Sequence, residues 1–338
     1  MTDRTAAIKQ EAMSQAGGIL GLIEREMSLV DVEFTRQASS NISIVEHLGE
    51  YIRSSGGKRI RPALMILSTY AAGGEGSREG VIRMATVMEM LHTATLVHDD
   101  IIDNADTRRG RASVNARFGN QLAVLMGDWL YMSAFETSLG ERSLRILDIL
   151  TRLTRKMTEG ELIQLTVIGN ADISEDAYFD ILRRKTAYLF SGCCEIGAIM
   201  AGASDETVSA MREFGMDLGI AFQLADDLLD VTSEDDTIGK SAGSDLLEGK
   251  LTLPFIRLIQ KQPASRADLD RVMNDGSYES ISRGELVRRL YSGGIIEQLQ
   301  SEADSYLARA RKSLEVLPET EYRSALEAIL VFVVQRNS

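Results

Sequence analysis

The chain has 338 residues and a formal net charge of −13 at pH 7, which excludes general nucleic-acid binding because that needs a basic face. Hydrophobic residues at 44% and charged residues at 26% fit an ordinary soluble globular protein, and no apolar run nears the about 18 residues of a membrane span. The opening MTDRTAAIKQEAMSQ has no apolar stretch of the signal-peptide kind. The adjacent Cys193 and Cys194 cannot frame disulfides, so a reducing, cytoplasmic setting is expected.

Prolines and aromatics are few, while Ala, Leu, Met, Glu and Arg are plentiful, and no alternating strand pattern of useful length occurs. The expected fold is therefore all-α. After a polar segment over 1–16, helical periodicity predicts helices over 17–36, 40–54, 60–72, 81–102, 119–139, 142–168, 174–201, 205–231, 251–261, 284–315 and 319–335. In the fourth of these, Met84, Val87, Met88, Leu91, Thr95 and Ile102 recur at helical steps. Polar or Gly-rich breaks fall at Gly73–Ser77, Asn104–Ser113, Gly169–Asp172, Gly202–Asp205 and Asp235–Gly249. The polar stretch 262–286 reads as a loop over the site. No linker divides the chain, so 1–338 is expected to be one domain, a bundle with its site in the core between helices.

Two aspartate triplets of the same shape carry the chemistry. Asp99, Asp100 and Asp103 end one apolar helix, and Asp226, Asp227 and Asp230 end another. The first and last Asp of each triplet stand one turn apart on a helix, where like charges repel by a few tenths of a kcal/mol. Two helices accepting that cost suggest a cation between the carboxylates. Clustered carboxylate oxygens suit Mg2+, which completes its shell with water and phosphate oxygens.

Basic groups gather around these acids. In Gly56-Gly57-Lys58-Arg59-Ile60-Arg61-Pro62, Lys58 and Arg61 project from the first turn of a helix, where anions bind. His92 lies seven residues before Asp99, about 20° away around the helix, and so shares the carboxylate face. Arg108 and Arg109 follow the first triplet directly. Lys185-Thr186 sits on a later helix. Lys240 and Lys250 lie in a Gly-containing loop after the second Asp helix, able to fold back over an anion.

Taken in order, GGKRIRP, LVHDDIIDNADTRRG, KTAYLF, FQLADDLLD and GKSAGSDLLEGKLTLP closely resemble the trans-isoprenyl diphosphate synthases, or polyprenyl synthetases, from about residue 40 to the C-terminus. The resemblance implies that Asp99 and Asp103 ligate two magnesium ions, with Asp100 supporting. It implies that Asp226 ligates a third, with Asp227 and Asp230 acting directly or through water; Mn2+ could substitute. Arg108, Lys185, Lys240 and Lys250 would hold an allylic diphosphate, and Lys58, Arg61, His92 and Arg109 would hold isopentenyl diphosphate. Thr186 and Gln223 would orient oxygens at the carbon that becomes cationic. A homodimer packed through long helices such as 119–139 is implied, with at most peripheral membrane contact during product release.

The residues one turn before Asp99 should line the cavity for the growing tail. They are Ala94 and Thr95, and a small Ala94 leaves that cavity open where short-chain members of the family carry an aromatic. One helical turn of about 5.4 Å matches roughly one isoprene unit. The expected product is therefore a medium- or long-chain all-trans polyprenyl diphosphate. Met88, Leu91, Trp129, Tyr131 and Met132 are candidates to close the tunnel. A terpene cyclase would not need GGKRIRP for a second diphosphate. A non-catalytic partner subunit would be expected to lose Asp or Lys positions, and none is missing.

Overall fold

A computed structural model of the chain describes residues 18, 21–57, 59–233 and 242–335. The expected polar segment 1–16, Lys58 and Lys240 lie outside these residues. The described helices are α1 (Glu24–Gln37), α2 (Ser43–Ser54), α3 (Ile60–Ala71), α4 (Glu79–Ile102), α5 (Val114–Phe118), α6 (Asn120–Leu139), α7 (Leu144–Val167) and α8 (Glu175–Leu182). They continue with α9 (Tyr188–Met200), α10 (Asp205–Thr232), α11 (Ser244–Leu247), α12 (Leu253–Lys261), α13 (Arg266–Asp275), α14 (Arg283–Ser292), α15 (Ile295–Ser313) and α16 (Glu321–Gln335). The fold is all-α, as expected, and no described helix is long and apolar enough to cross a membrane.

Helix starts are written locally. Ser143, Ser174, Ser204 and Ser282 each precede a helix and accept from a backbone N–H three residues on, which satisfies a donor that the helix leaves open. Asp205 and Glu206 add acid to the first turn of α10, where the helix dipole favours it.

The helix α4 is apolar almost all round, with Val81, Met84, Val87, Met88, Met90, Leu91, Ala94 and Val97 buried. A helix of that kind belongs at the centre of a bundle. It packs against α1, α3, α6 and α9, and α9 in turn lies along α10, so α9 stands beside both Asp helices. A second apolar cluster joins α8 and α10 to α12–α15.

The structure departs from the expected elements at four places. The run 174–201 is interrupted by a π turn over Arg183–Ala187, in which Tyr188 N–H donates to Arg183 O five residues back. The expected helix 284–315 breaks at Gly293-Gly294, with Gly294 at φ 62°. The stretch 262–286 is no bare loop: α13 buries Leu269, Val272 and Met273, an apolar face that its charged neighbours disguise. Within Asn104–Ser113, Thr107–Arg108 pairs antiparallel with Arg111–Ala112 as a hairpin. Its two-residue turn, Arg109-Gly110, has φ of 53° and 73°, the positive pair that tight hairpins need.

Candidate active site

The last turn of α4 carries the first triplet. Asp99 lines a cleft with Thr95, Tyr131, Met157, Glu161 and Lys185. Burial lifts its carboxyl to about 6, against the pull of Lys185. Asp103 caps the helix and meets Lys250 Nζ at 3.0 Å, while Glu248 holds the same ammonium at 2.7 Å. Burial disfavours the Lys250 charge, but Glu248 and Asp103 outweigh it and keep the ammonium above its ordinary range. Asp100 is buried, and its Oδ1 accepts from Arg108 Nε at 2.8 Å. Asp100 therefore serves as the support that fixes Arg108.

The second triplet ends α10. Burial, reinforced by Asp245, lifts Asp226 to about 7 and Asp227 to about 8. Both oxygens of Asp227 are already taken, Oδ2 by the Tyr178 hydroxyl at 2.6 Å and Oδ1 by Gln223 Nε2 at 2.9 Å. Asp230 Oδ1 accepts from Ser244 N at 3.1 Å, and its carbonyl accepts from Gly243 N at 2.7 Å, which turns the following loop back towards the helix. Burial also raises the Asp230 carboxyl.

Opposite stands a cage of arginines around His92. Arg61, in the first turn of α3, lies over the Phe190 ring at 5.1 Å and has a buried Nε without a partner. Arg59 takes φ 50° and donates to Glu89 Oε1 at 2.8 Å. Arg109 reaches across to the Gly56 carbonyl. A side chain at Gly57 would put its Cβ 2.5 Å from Arg109 Nη1, so a larger residue there would push the guanidinium off its present position. Burial, then the charges of Arg61, Arg109 and Arg108, hold the His92 imidazole well below its usual range and hence neutral. A cage so rich in guanidinium, with Arg61 Nε buried and without a partner, has the chemistry to take an anion.

Lys185 and Thr186 lie in the π turn. Lys185 Nζ pairs with Glu161 at 2.6 Å and donates to Gln164 at 2.7 Å, both on α7. Thr186 Oγ1 donates to Gln223 Oε1 at 3.1 Å. Two glycines let this segment sit close: a Cβ on Gly160 would lie 2.6 Å from the Arg184 Cβ, and one on Gly219 would lie 2.6 Å from the Ala187 Cα.

Among the described residues, no three His, Cys, Asp or Glu side chains converge tightly enough to hold one metal ion. The donors nevertheless fit a hard cation. They are all oxygens, they sit on facing elements, and Asp230 Oδ2 is buried with no hydrogen-bond partner.

Thr95 lines the cleft beside Asp99, whereas Ala94 is 0% exposed in the helical core and is not part of that cleft's wall. Among the candidates for closing a tunnel, Tyr131 lines the cleft and Met88 and Leu91 are buried. Met132 faces outward at 64% exposure, which removes it as a stopper within this chain. Sequence reasoning missed Glu89, Glu161, Gln164 and Tyr178. Glu89 alone left a signal, a charge between Met88 and Met90 in an apolar run.

Known proteins resemble the chain along most of its length. The polyprenyl synthetase family model matches residues 42–288. The octaprenyl diphosphate synthase of Escherichia coli (strain K12) is 36% identical over 94% of this chain and 97% of its own length. The all-trans-nonaprenyl-diphosphate synthase (geranyl-diphosphate specific) of Rhodobacter capsulatus is 37% identical over 91% and 94%. A polyprenyl synthase from Caulobacter crescentus CB15, solved with calcium and isoprenyl diphosphate, superposes with a TM-score of 0.89 at 33% identity, over 96% of this chain and 98% of that one. The chain belongs to the polyprenyl synthetase family and is a prenyltransferase.

Proposed function

We propose that this protein condenses isopentenyl diphosphate head to tail with an allylic diphosphate such as farnesyl or geranylgeranyl diphosphate. Its product is a medium- or long-chain all-trans polyprenyl diphosphate, destined for quinone side chains. The observation that carries the reading is the pairing of two Asp-ended helices with two separate cationic groups, the arginine cage around His92 and the lysines Lys185 and Lys250.

Lys58, Arg61, His92 and Arg109 bind the diphosphate of isopentenyl diphosphate, and Arg108, Lys185, Lys240 and Lys250 bind that of the allylic substrate. Asp99, Asp103 and Asp226 hold three Mg2+ ions, or Mn2+, with Asp100, Asp227 and Asp230 assisting. Bound magnesium would supply positive charge to the departing diphosphate. The fixed cations Lys185, Lys250 and Arg108 favour the same charge because they are oriented before the reaction begins. Thr186 and Gln223 place oxygens against the allylic carbon as it becomes cationic, and the cage holds the second substrate's double bond at reacting distance. His92, neutral and surrounded by arginines, donates a hydrogen bond to diphosphate without serving as a base.

The chain works as one catalytic unit, dimerises through α6 and stays in the cytoplasm, touching membrane only peripherally. Support for the dimer comes from Leu125, Met132 and Leu139, which are exposed and spaced seven residues apart along α6. The test is product formation from isopentenyl and farnesyl diphosphates with Mg2+, in wild type and in Asp99→Ala and Asp226→Ala. Loss of product in both variants supports the assignment; a variant as active as wild type removes that Asp from it.

A further inference from the structure

Four side chains form an unbroken line of hydrogen bonds that ends at the reaction cleft. Tyr178 Oη donates to Asp227 Oδ2 at 2.6 Å, Gln223 Nε2 to Asp227 Oδ1 at 2.9 Å, and Thr186 Oγ1 to Gln223 Oε1 at 3.1 Å. Tyr178 and Asp227 are buried, while Thr186 and Gln223 are half-buried, and all four border one cleft with Lys185 and Lys250.

The line decides which way the Gln223 amide points. With the Tyr178 hydroxyl donating to Oδ2 and Gln223 Nε2 donating to Oδ1, the Gln223 Oε1 is left towards Thr186 and the cleft. Asp227 in turn cannot swing, because its second oxygen is held by Tyr178.

The π turn makes this possible. Tyr178 and Thr186 belong to one helical run, and eight regular residues would leave them about 80° apart around its axis. The extra residue taken up by a π turn cuts that offset to about 20°, which sets both side chains against α10. Tyr188 N–H donating to Arg183 O marks the turn. Gly160 on one side and Gly219 on the other leave room for it.

We propose that Tyr178 is a positioning residue for prenyl transfer, acting through Asp227 to hold the Gln223 amide oxygen towards the allylic carbon that loses diphosphate. The inference rests on the prenyl-transfer reading above. Tyr178 itself borders the cleft, and the reading above assigns it to neither diphosphate. Its loss should slow the ionising step and leave diphosphate and magnesium binding alone.

The experiment is a double-substitution cycle on the full chain, with Mg2+, isopentenyl diphosphate and farnesyl diphosphate. Tyr178→Phe should lower kcat by about tenfold, the scale on which supporting groups act. Both KM values and the Mg2+ concentration for half-maximal rate should stay as in wild type. In a Gln223→Ala background, Tyr178→Phe should lower kcat no further. If the two losses multiply, or if Tyr178→Phe raises the Mg2+ requirement, or if it keeps wild-type kcat, the proposal is overturned. Should Tyr178→Phe fail to fold, Tyr178→His keeps a ring with a polar edge in place and must give the same kcat-only loss and the same silence beside Gln223→Ala. A wild-type protein that makes no product would end the prenyl-transfer reading itself. A working wild type with multiplying losses would end only the role of Tyr178.

Discussion

Lys250 Nζ lies 3.0 Å from Asp103 Oδ1, joining two residues 147 positions apart. The loop after the second Asp helix is thereby anchored to the end of the first, and the cleft between them is closed on one side by a cation. Gly169 N, donating to Gly249 O at 2.8 Å, fixes the backbone just before that lysine.

A lysine held this way is ready to exchange its carboxylate partner for a phosphate oxygen. Lys250→Ala should weaken the allylic diphosphate by the worth of one charge-assisted hydrogen bond, about 2 kcal/mol or roughly thirtyfold in KM. The KM for isopentenyl diphosphate should not change. Steady-state kinetics with each substrate varied in turn checks the split, and equal changes in both would take Lys250 out of the allylic site.

Glu89 governs the other pocket. It is buried, it pairs with Arg59 at 2.8 Å, and its second oxygen has no partner. Removing one charge from a buried pair costs about 3 kcal/mol, so Glu89→Gln should lower the melting temperature. It should also raise the KM for isopentenyl diphosphate, because Arg59 anchors the loop that leads into Arg61. A rise confined to the allylic KM would contradict this placement.

The triplets make stability depend on pH. Asp99, Asp226 and Asp227 have carboxyl values raised to about 6, about 7 and about 8, from 3.8. A raised carboxyl binds its proton more tightly in the folded chain than in the unfolded one. Its contribution is therefore complete below about pH 4 and is lost as pH climbs through 6 to 8. The metal-free protein should melt at lower temperature at pH 8 than at pH 5.5, and Mg2+ should raise the melting temperature more at pH 8. Thermal unfolding across that range with and without Mg2+ decides it; a metal-free melting temperature that rises with pH would refute the assignment.

Ala94 tests the tail cavity. It is fully buried one turn before the Asp99 cleft, and a ring there costs about 1–3 kcal/mol of overpacking. Ala94→Phe should shorten the product while leaving the first condensations intact. Unchanged product length in an active, folded variant would place the tail elsewhere, along Thr95 and Tyr131.

Much of this was readable because it was local. The expected helix 119–139 is found as Asn120–Leu139, and both Asp triplets fall at helix ends as their apolar lead-ins predicted. What escaped depends on other parts of the chain. The π turn at Arg183–Ala187 exists because α7 and α10 approach it through Gly160 and Gly219, and no periodicity within 174–201 reports that. Glu161 and Gln164 are polar residues of α7 whose partner Lys185 lies on another element. The Tyr178 hydroxyl takes its meaning from Asp227, which lies 49 residues on in the chain and 2.6 Å away in the fold.

The measurement that bears most directly on the central claim is product sizing by mass spectrometry, after incubation of the purified protein with Mg2+, isopentenyl diphosphate and farnesyl diphosphate. The expected result is a ladder of all-trans prenyl diphosphates ending well beyond twenty carbons. No elongation of any allylic primer by folded, metal-loaded protein would contradict the prenyl-transfer assignment, and a product stopping at twenty carbons or fewer would contradict the long-chain assignment.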